Sequence, residues 1–210
     1  MNSPPTVLIV STNPLLRDQC AGVAFDHELA SYGLDDFAKL AGACSGVEVG
    51  CVVFDLDLAG IEELEASPRL AANGATLPAI ALAERGDAPA VKATVKAGGV
   101  AVLEKPIVPP ELLEQVHEAL LASRSARLAA DTRSEVLRRL QRLAPEERVL
   151  LDGILTAQSN KALAKEHGCS VRTIEARRAK VMTTLAAATI DDVVRLMAIV
   201  KPYLCDGAPL

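Results

Sequence analysis

The stretch from Ser159 to Met182, SNKALAKEHGCSVRTIEARRAKVM, constrains the fold more than any other part of the chain. A short helix is predicted to end at Gly168, because glycine readily takes the left-handed conformation that stops a helix. The hydroxyl of Ser170 can then accept from free backbone N–H groups at the start of a second helix. The apolar residues of this second helix recur at helical spacing and are expected to face a core: Val171, Ile174, Val181 and Leu185.

The second helix is also strongly basic. Its charged side chains are Arg172, Arg177, Arg178 and Lys180, against one acid, Glu175. Two helices joined by a tight turn, the second amphipathic and basic, form the helix-turn-helix that places a helix in the major groove of DNA. A solvated charged face on an ordinary helix is the other interpretation of the same charges.

The wider stretch from Leu143 to Val200 resembles the LuxR-type helix-turn-helix. LAPEERVLL, QSNKALA, SVRTIEARRAKVM and TIDDVVRLMAIV follow the order and spacing of that family's motifs. The resemblance implies an all-α, four-helix DNA-binding domain. Where the family usually has Thr, Gly, Val and His, this sequence has Ala144, Ala157, Ile174 and Arg177.

The side chains of this stretch predict which residues contact DNA. Asn160, Lys161 and the first amides of the second helix are expected to hold phosphates. Side chains at the start of that helix and along its exposed face can reach base edges, where Glu accepts from cytosine and Arg pairs with guanine. The predicted DNA-binding residues are Asn160, Lys161, Arg172, Thr173, Glu175, Arg177, Arg178 and Lys180.

Charge divides unevenly along the 210 residues. Residues 138–210 hold 12 Lys and Arg against 8 Asp and Glu, a net charge of +4. Residues 1–137 hold 10 against 19, a net charge of −9. The basic part is attracted to DNA and the acidic part is repelled. The overall charge of −5 therefore hides a segment suited to nucleic acid.

The first half of the chain alternates short apolar runs with helical patterns. Asn13 and Pro14 predict the cap and first turn of a helix. Further helices are predicted at Leu34–Ala43, Ile61–Ala72 and Ala88–Ala97. Predicted strands are Thr6–Val10, Val52–Phe54, Leu77–Ala83 and Val100–Pro106, with Phe25–Ser31 as a candidate further strand. This alternation predicts an α/β domain with a parallel sheet and helices on both faces.

Ligand and catalytic groups in such a sheet gather at the carboxyl ends of the strands. Those ends carry Ser11 and Thr12, Asp55, Ala83 and Lys105. Together with the segment KAGGVAVLEKP, they resemble the receiver domain of two-component response regulators over about residues 5–122. The resemblance implies a flavodoxin-like, doubly wound five-stranded parallel sheet. It also implies that Asp55 is at the phosphoacceptor position and that Lys105 contacts the phosphoryl group.

The sequence departs from the receiver family where its chemistry takes place. Ser11 and Thr12 stand in place of two adjacent acids that hold Mg²⁺ with the phosphoacceptor, and Mg²⁺ needs anionic oxygens. Asp57 is not placed to replace the lost pair. Ala83 stands in place of the switch hydroxyl, and the aromatic residue expected near Ala101–Val102 is missing.

These departures predict an atypical receiver. Mg²⁺ binding is expected to be weak or absent, no other cofactor is expected, and Mg²⁺-dependent phosphorylation is not expected to be the switch. Weak phosphorylation on Asp55 alone stays open as an alternative, and so does an ion pair between Asp55 and Lys105.

Both halves together are similar to the FixJ/NarL class of response regulators. The predicted organisation is a receiver-like domain at residues 1–122, a helical linker at 123–142 and a LuxR-type domain at 143–210. The linker lies within a helical pattern that runs from Pro109 to about Leu140. The scattered cysteines, of which Cys20, Cys44 and Cys51 lie in apolar settings, are expected to be buried free thiols.

The expected function is a DNA-binding transcriptional regulator. Its expected partners are double-stranded DNA, a second copy of the chain in a homodimer, and a sensor kinase or another regulatory protein. We find no signal segment or membrane span, so a cytoplasmic location is expected. No nucleophile–base pair, metal cluster or phosphate loop indicates an enzyme. The alternative is a protein-interaction module whose receiver binds a partner and whose DNA affinity is incidental.

Overall fold

The computed structural model describes residues 4–56, 71–72, 75–87, 94 and 101–203. The chain divides into two compact units, Met1–Ala130 and Asp131–Leu210. Each unit has its own hydrophobic core.

The first unit is built on a five-stranded parallel sheet. Its strands are β1 (Thr6–Val10), β2 (Ala30–Leu34), β3 (Gly50–Asp55), β6 (Ala79–Ala83) and β7 (Ala101–Glu104), in the order β2-β1-β3-β6-β7. A separate antiparallel pair is formed by β4 (Ala71–Ala72) and β5 (Ala75–Thr76). The three central strands are buried along their whole length, whereas β2 and β7 are edge strands and partly exposed. The central strands are apolar because both faces of a parallel sheet are covered.

Helices cover the two faces of this sheet with separate cores. In the described part of the first unit, the full helices are α1 (Pro14–Phe25), α2 (Leu40–Cys44), which follows a 3₁₀ turn at Phe37–Lys39, and α3 (Pro109–Gln141). Successive side chains of a strand point to opposite faces. One core therefore joins Val7, Ile9 and Val53 to Cys20 of α1 and to Leu112 and Val116 of α3. The other core joins Leu8, Val52 and Phe54 to Leu40 and Cys44 of α2.

Several sequence predictions for the first unit are confirmed. The strand Thr6–Val10 has the predicted bounds, and the other three predicted strands are present with ends that shift by one or two residues. Asn13 caps α1, since its side-chain oxygen accepts from the N–H of Leu15 at 3.0 Å. The predicted fold class, an α/β domain with a five-stranded parallel sheet followed by a helical region, is also confirmed.

Other predictions for the first unit are wrong or lie outside the described residues. Phe25–Ser31 is not a strand, because α1 continues to Phe25 and a turn follows, so that the strand begins only at Ala30. The predicted helix Leu34–Ala43 begins late, since Leu34 ends β2. The predicted helix Ile61–Ala72 lies outside the described residues except at Ala71–Ala72, which form a strand. The predicted helix Ala88–Ala97 also lies outside them, apart from Thr94, which is helical.

The second unit is helical. It contains the last turns of α3, then α4 (Pro145–Leu155), α5 (Asn160–Glu166), α6 (Val171–Leu185) and α7 (Ile190–Val200), and a 3₁₀ turn at Lys201–Tyr203. Its core includes Val136, Leu140, Leu150, Leu151, Ile154, Leu163, Ile174, Val181, Leu185, Val193, Met197 and Val200. Gly153 lets α4 and α5 approach closely, since a Cβ atom built there would lie 2.4 Å from Cδ2 of Leu163.

The apolar face of α6 differs in detail from the prediction. Ile174, Val181 and Leu185 are buried as predicted, but Val171 is 41% exposed and does not belong to the core. Val193 and Met197 of α7 are also buried, because α7 lies with that face against the core of the second unit. Across the described ranges, no helix is long and apolar enough to cross a lipid bilayer.

Candidate functional site

Strand register brings the first group of predicted site residues together. Val10 of β1 pairs with Phe54 of β3, so the next residues, Ser11 and Asp55, lie side by side at the carboxyl edge of the sheet. Across β6, Ala83 pairs with Glu104, so Lys105 follows at the same edge. We call Ser11, Asp55 and Lys105 the strand-end cluster. The cluster lies at the carboxyl ends of the strands, where parallel sheets usually bind ligands and carry catalytic groups.

Asp55 is the centre of the strand-end cluster. The hydroxyl of Ser11 donates to Oδ2 of Asp55 at 2.8 Å, and the ammonium of Lys105 donates to Oδ1 at 2.6 Å. Ser11 is 1% exposed and Asp55 is 4% exposed. Ser11 Oγ also accepts from the backbone N–H of Asn13 at 3.0 Å, so its orientation is held from both sides. The ion pair that the sequence left open is therefore present.

The other predicted residues of this edge do not join the strand-end cluster. Thr12 is exposed. Ala83 is buried and offers no side-chain donor or acceptor, although its carbonyl accepts from the N–H of Lys105 at 2.9 Å. Ala101 and Val102 are half-buried in β7. Asp57 lies outside the described residues.

The oxygens of this edge fit Mg²⁺ poorly. Asp55 supplies a single carboxylate, and that carboxylate already contacts an ammonium group. Ser11 supplies a neutral hydroxyl whose proton points to Asp55. Mg²⁺ favours anionic oxygens in octahedral geometry, and a fixed ammonium at the same carboxylate opposes a divalent cation. In the parts of the chain that the structure covers, no three His, Cys, Asp or Glu side chains meet in the manner of a metal site.

Two residues near the strand-end cluster were missed by the sequence analysis. Glu84 directly follows β6, and its Oε1 lies 3.4 Å from Lys105 Nζ, so a second carboxylate contacts the same ammonium. The guanidinium of Arg17 donates to the carbonyl oxygen of Ser11. Glu84 was detectable, because it stands at a strand end like the others. Arg17 was not, since its contact depends on how α1 lies across the sheet edge.

The second group of predicted site residues lies on α5, α6 and the turn between them. Ser159 caps α5 by accepting from the N–H of Ala162 at 3.2 Å, and Gly168 after α5 has a φ of +60°, as predicted. Ser170 caps α6, as predicted, because its hydroxyl oxygen accepts from the N–H of Thr173 at 3.1 Å. The turn between the two helices therefore has both of the local signals that the sequence indicated.

The polar side chains of these helices differ in exposure. Lys161, Arg172, Glu175 and Lys180 are exposed, whereas Asn160, Thr173, Arg177 and Arg178 are half-buried. Arg172 and Lys180 thus face solvent on α6, whereas Ile174 and Val181 of the same helix are fully buried. An exposed basic face on a helix whose other face is packed is the arrangement that a groove-binding helix requires.

Arg178 and Lys180, both predicted to bind DNA, also contact other segments of the second unit. Arg178 donates to the carbonyl oxygen of Gln158 at 3.1 Å, ahead of α5. Lys180 forms an ion pair of 2.9 Å with Glu147 of α4. Glu147 also accepts from the N–H of Ala144 at 2.8 Å, and these two donors, the amide first, lower the pKa of the Glu147 carboxyl. Sequence spacing could not show either contact, since each joins residues that are far apart in the sequence.

The chain is similar to known proteins over most of its length. The family model of the response regulator receiver domain matches residues 7–117, more than half of the chain. The chain is 30% identical over 193 residues to the transcriptional regulatory protein FixJ of Bradyrhizobium diazoefficiens, covering 90% of this chain and 93% of the relative. It is 32% identical over 202 residues to FixJ of Azorhizobium caulinodans, covering 96% of each. The names of these relatives describe regulators and not enzymes.

Solved structures agree with the fold. The response regulator StyR matches with a TM-score of 0.78 and 23% identity, covering 93% of this chain and 99% of that chain. Full-length FixJ from B. japonicum matches with a TM-score of 0.54 and 26% identity, covering 96% and 99%. With the receiver-domain match and two FixJ relatives aligned along nearly the whole sequence, the chain belongs to the response regulators of the FixJ/NarL class.

Proposed function

We propose that the chain is a DNA-binding transcriptional regulator whose receiver-like domain is not switched by Mg²⁺-dependent phosphorylation of Asp55. Residues 1–122 form the receiver-like domain, 123–142 a helical linker, and 143–210 a LuxR-type DNA-binding domain. Double-stranded DNA is its main partner. The names of the FixJ relatives, transcriptional regulatory proteins, support the regulatory assignment.

The exposed basic face of α6 carries the DNA-binding part of this proposal. Arg172 and Glu175 are exposed and Arg177 is half-buried on a helix whose opposite face is fully packed. We assign Arg172, Thr173, Glu175 and Arg177 to base edges or nearby phosphates. Asn160 and Lys161, at the start of α5, are assigned to phosphates.

Arg178 and Lys180 are assigned to DNA with a second role. Arg178 holds the segment before α5 through Gln158, and Lys180 holds the start of α4 through Glu147. Lys180 is 68% exposed at its side chain, so it can pair with a phosphate while its own partner stays close. We therefore expect both residues to affect affinity and folding together, unlike Arg172.

DNA binding is tested with duplexes selected in vitro and a scrambled duplex, measured by fluorescence anisotropy at several salt concentrations. We expect affinity for the selected duplex to exceed that for the scrambled one by at least about 1,000-fold and to fall steeply with salt. Arg172→Ala and Arg177→Ala should each weaken selected binding about tenfold or more. Arg124→Ala, an exposed arginine of the first unit, is the control. Equal affinity for both duplexes would instead favour a protein-interaction module.

A single contact carries the receiver part of the proposal. Ser11, whose hydroxyl donates to Asp55 at 2.8 Å, occupies the edge position where a carboxylate would be needed to hold Mg²⁺ beside the phosphoacceptor. Without the metal, little offsets the charge of an incoming phosphoryl group. Ala83 has no hydroxyl with which to bind a phosphoryl oxygen once it is attached.

The geometry of Asp55 and Lys105 favours a second candidate, weak phosphorylation on Asp55 alone. The two side chains lie 2.6 Å apart, so an ammonium is in place beside the carboxylate. Incubation with acetyl phosphate and Mg²⁺, followed by intact mass measurement, separates the two candidates. We expect no added phosphoryl group. Appreciable transfer that Asp55→Asn abolishes would favour the second candidate.

We further propose that the chain acts in the cytoplasm as a homodimer on two DNA half-sites, with a sensor kinase or another regulatory protein as a further partner. Val194 and Ile199 of α7 are 45% and 37% exposed and are available for a contact between copies. A two-fold dimer matches a palindromic operator. Val194→Asp should shift the molar mass from light scattering toward the monomer, and an unchanged mass would exclude this face.

A further inference from the structure

The last turns of α3 are part of the second unit. Val136 and Leu140 are buried in its core together with Leu185 of α6. The guanidinium carbon of Arg133 lies 4.2 Å from the centre of the Tyr203 ring, after α7. The segment 131–141, which the sequence assigned to a linker, therefore contacts the ends of both α6 and α7.

Arg139 joins this segment to the end of α6. Its Nη1 donates to the carbonyl oxygen of Leu185 at 3.0 Å, and its Nε donates to Oε1 of Glu135 at 2.8 Å. The last carbonyl groups of a helix have no partner within the helix. A guanidinium supplies a charge-assisted hydrogen bond there and also complements the negative end of the helix dipole.

The rest of the α6 terminus is closed by its own backbone. Ala186 has a φ of +52°, and its N–H donates to the carbonyl of Thr183 at 3.1 Å. The N–H of Ala187 donates to the carbonyl of Met182 at 2.9 Å. Leu185 is fully buried at its side chain, so the terminus is held by the core on one side and by Arg139 on the other.

On the basis of the DNA-binding function proposed above, we propose that Arg139 is a positioning residue for sequence recognition. It fixes the carboxyl end of α6 and thereby the tilt of the helix whose first turns reach the bases. The 15 residues of α6 span about 22 Å, so a small tilt at one end moves the other. Base contacts tolerate displacements of only about 0.5 Å. Phosphate contacts from flexible side chains are less sensitive.

If Arg139 positions α6, its loss should weaken the recognition of bases and leave the general affinity for DNA unchanged. The test compares Arg139→Met and Arg139→Lys with Arg138→Met in the full chain. Arg138 is the matched control, because it is the adjacent arginine and its guanidinium contacts the same Glu135 at 2.7 Å. Each protein is titrated with a selected and a scrambled duplex at several salt concentrations.

We expect Arg139→Met to weaken binding to the selected duplex about tenfold, which is the loss of affinity expected when one base contact is removed. Binding to the scrambled duplex and the slope of affinity against salt should stay the same, because the phosphate contacts are kept. Arg139→Lys keeps a positively charged donor and should retain most of the preference for the selected duplex. Arg138→Met should stay within about twofold of the wild type.

Two results would overturn this role. One is an equal loss of affinity for both duplexes, together with a weaker dependence of affinity on salt, which would make Arg139 a phosphate contact. The other is a preference that Arg139→Met leaves unchanged. If Arg139→Met is unfolded at the assay temperature, Arg139→Gln and Glu135→Gln replace it. The ratio of affinities for the selected and the scrambled duplex is then compared in the same way. A wild-type protein without any sequence preference would contradict the proposed function itself, whereas a preference kept by the Arg139 variants contradicts only the positioning role.

Discussion

The ammonium of Lys105 and the carboxylate of Asp55 form an ion pair of 2.6 Å whose side chains are only 15% and 5% exposed. Charges removed from water in this way are costly unless each is paired and hydrogen-bonded. Ser11 donates a further hydrogen bond to Asp55, and Glu84 supplies a second, more exposed carboxylate to Lys105. These paired side chains hold the carboxyl edge of the sheet together.

Lys105→Met should destabilise the first unit, because it leaves the buried carboxylate of Asp55 without its ammonium. We expect the free energy of unfolding to fall by about 3 kcal/mol. Hydrogen exchange of peptides from β1 and β3, followed by mass spectrometry, measures this within the first unit.

The double variant Lys105→Met/Asp55→Asn is the control for that loss. The amide of Asn can still accept from Ser11, and no buried charge remains, so the double variant should be more stable than Lys105→Met alone. Equal protection of β3 in the wild type and in Lys105→Met would show that the ion pair does not stabilise the sheet edge.

Ser11→Asp/Thr12→Asp should create Mg²⁺ binding that the wild type lacks. Two added carboxylates beside Asp55 repel one another and need a cation, whereas one carboxylate and two hydroxyls do not. Because a ligand that binds the folded state stabilises it, millimolar Mg²⁺ should raise the urea midpoint of the double variant only. Sodium chloride at matched ionic strength is the control, and an equal Mg²⁺ response in the wild type would contradict the poor fit of its oxygens.

Ala157→Gly should stabilise the second unit. Ala157 has a φ of +55°, in the left-handed region that a side chain disfavours. Glycine at this position should raise the free energy of unfolding by about 1 kcal/mol. Ala162→Gly, an exposed position within α5, is the control and should lower the stability by a similar amount. Urea unfolding in a Tyr32→Phe background, in which Tyr203 is the remaining tyrosine, checks both signs by fluorescence.

How far the sequence predicts the fold depends on where each strand lies. β1 and β3 were predictable, because a strand buried on both faces must be an apolar run. The edge strand β2, ASYGL, has no such run and exists because its backbone pairs with β1. The candidate strand Phe25–Ser31 was placed too early, since Phe25 is the last residue of α1 and its side chain is 81% exposed.

The candidate site also contains residues that the sequence could predict and contacts that it could not. Asp55 and Lys105 were predictable, since each stands at the end of a strand and resembles a known motif. The partners of Arg178, Lys180 and Arg139 were not, because each contact joins segments that are distant in sequence. Local signals such as Gly168 and Ser170 fix where helices begin and end, but not which side chains meet between them.

Alkaline pH should destabilise the first unit through Cys20. Burial, and then the negative charge of Asp55, raise the pKa of the Cys20 thiol from its ordinary value of 9.0 to about 11. Between these values the unfolded chain has lost the thiol proton and the folded chain keeps it. The free energy of unfolding therefore falls as the pH rises through this window, by about 1 kcal/mol per pH unit for this thiol.

The variant Cys20→Ala should show a shallower alkaline slope than the wild type. At pH 7 the thiol is protonated in both states, so urea unfolding at that pH measures only the packing change. An unchanged slope between pH 9 and 11 would mean that the folded protein ionises this thiol as readily as the unfolded chain does.

The central claim is that the receiver-like domain does not use Mg²⁺-dependent phosphorylation of Asp55 as its switch. The most direct measurement is the affinity of the unmodified protein for its selected duplex, by fluorescence anisotropy, with and without acetyl phosphate plus Mg²⁺. The proposed function predicts tight, selective binding that is the same in both conditions and in Asp55→Asn. Binding that appears only with the phosphodonor and is lost in Asp55→Asn would contradict it.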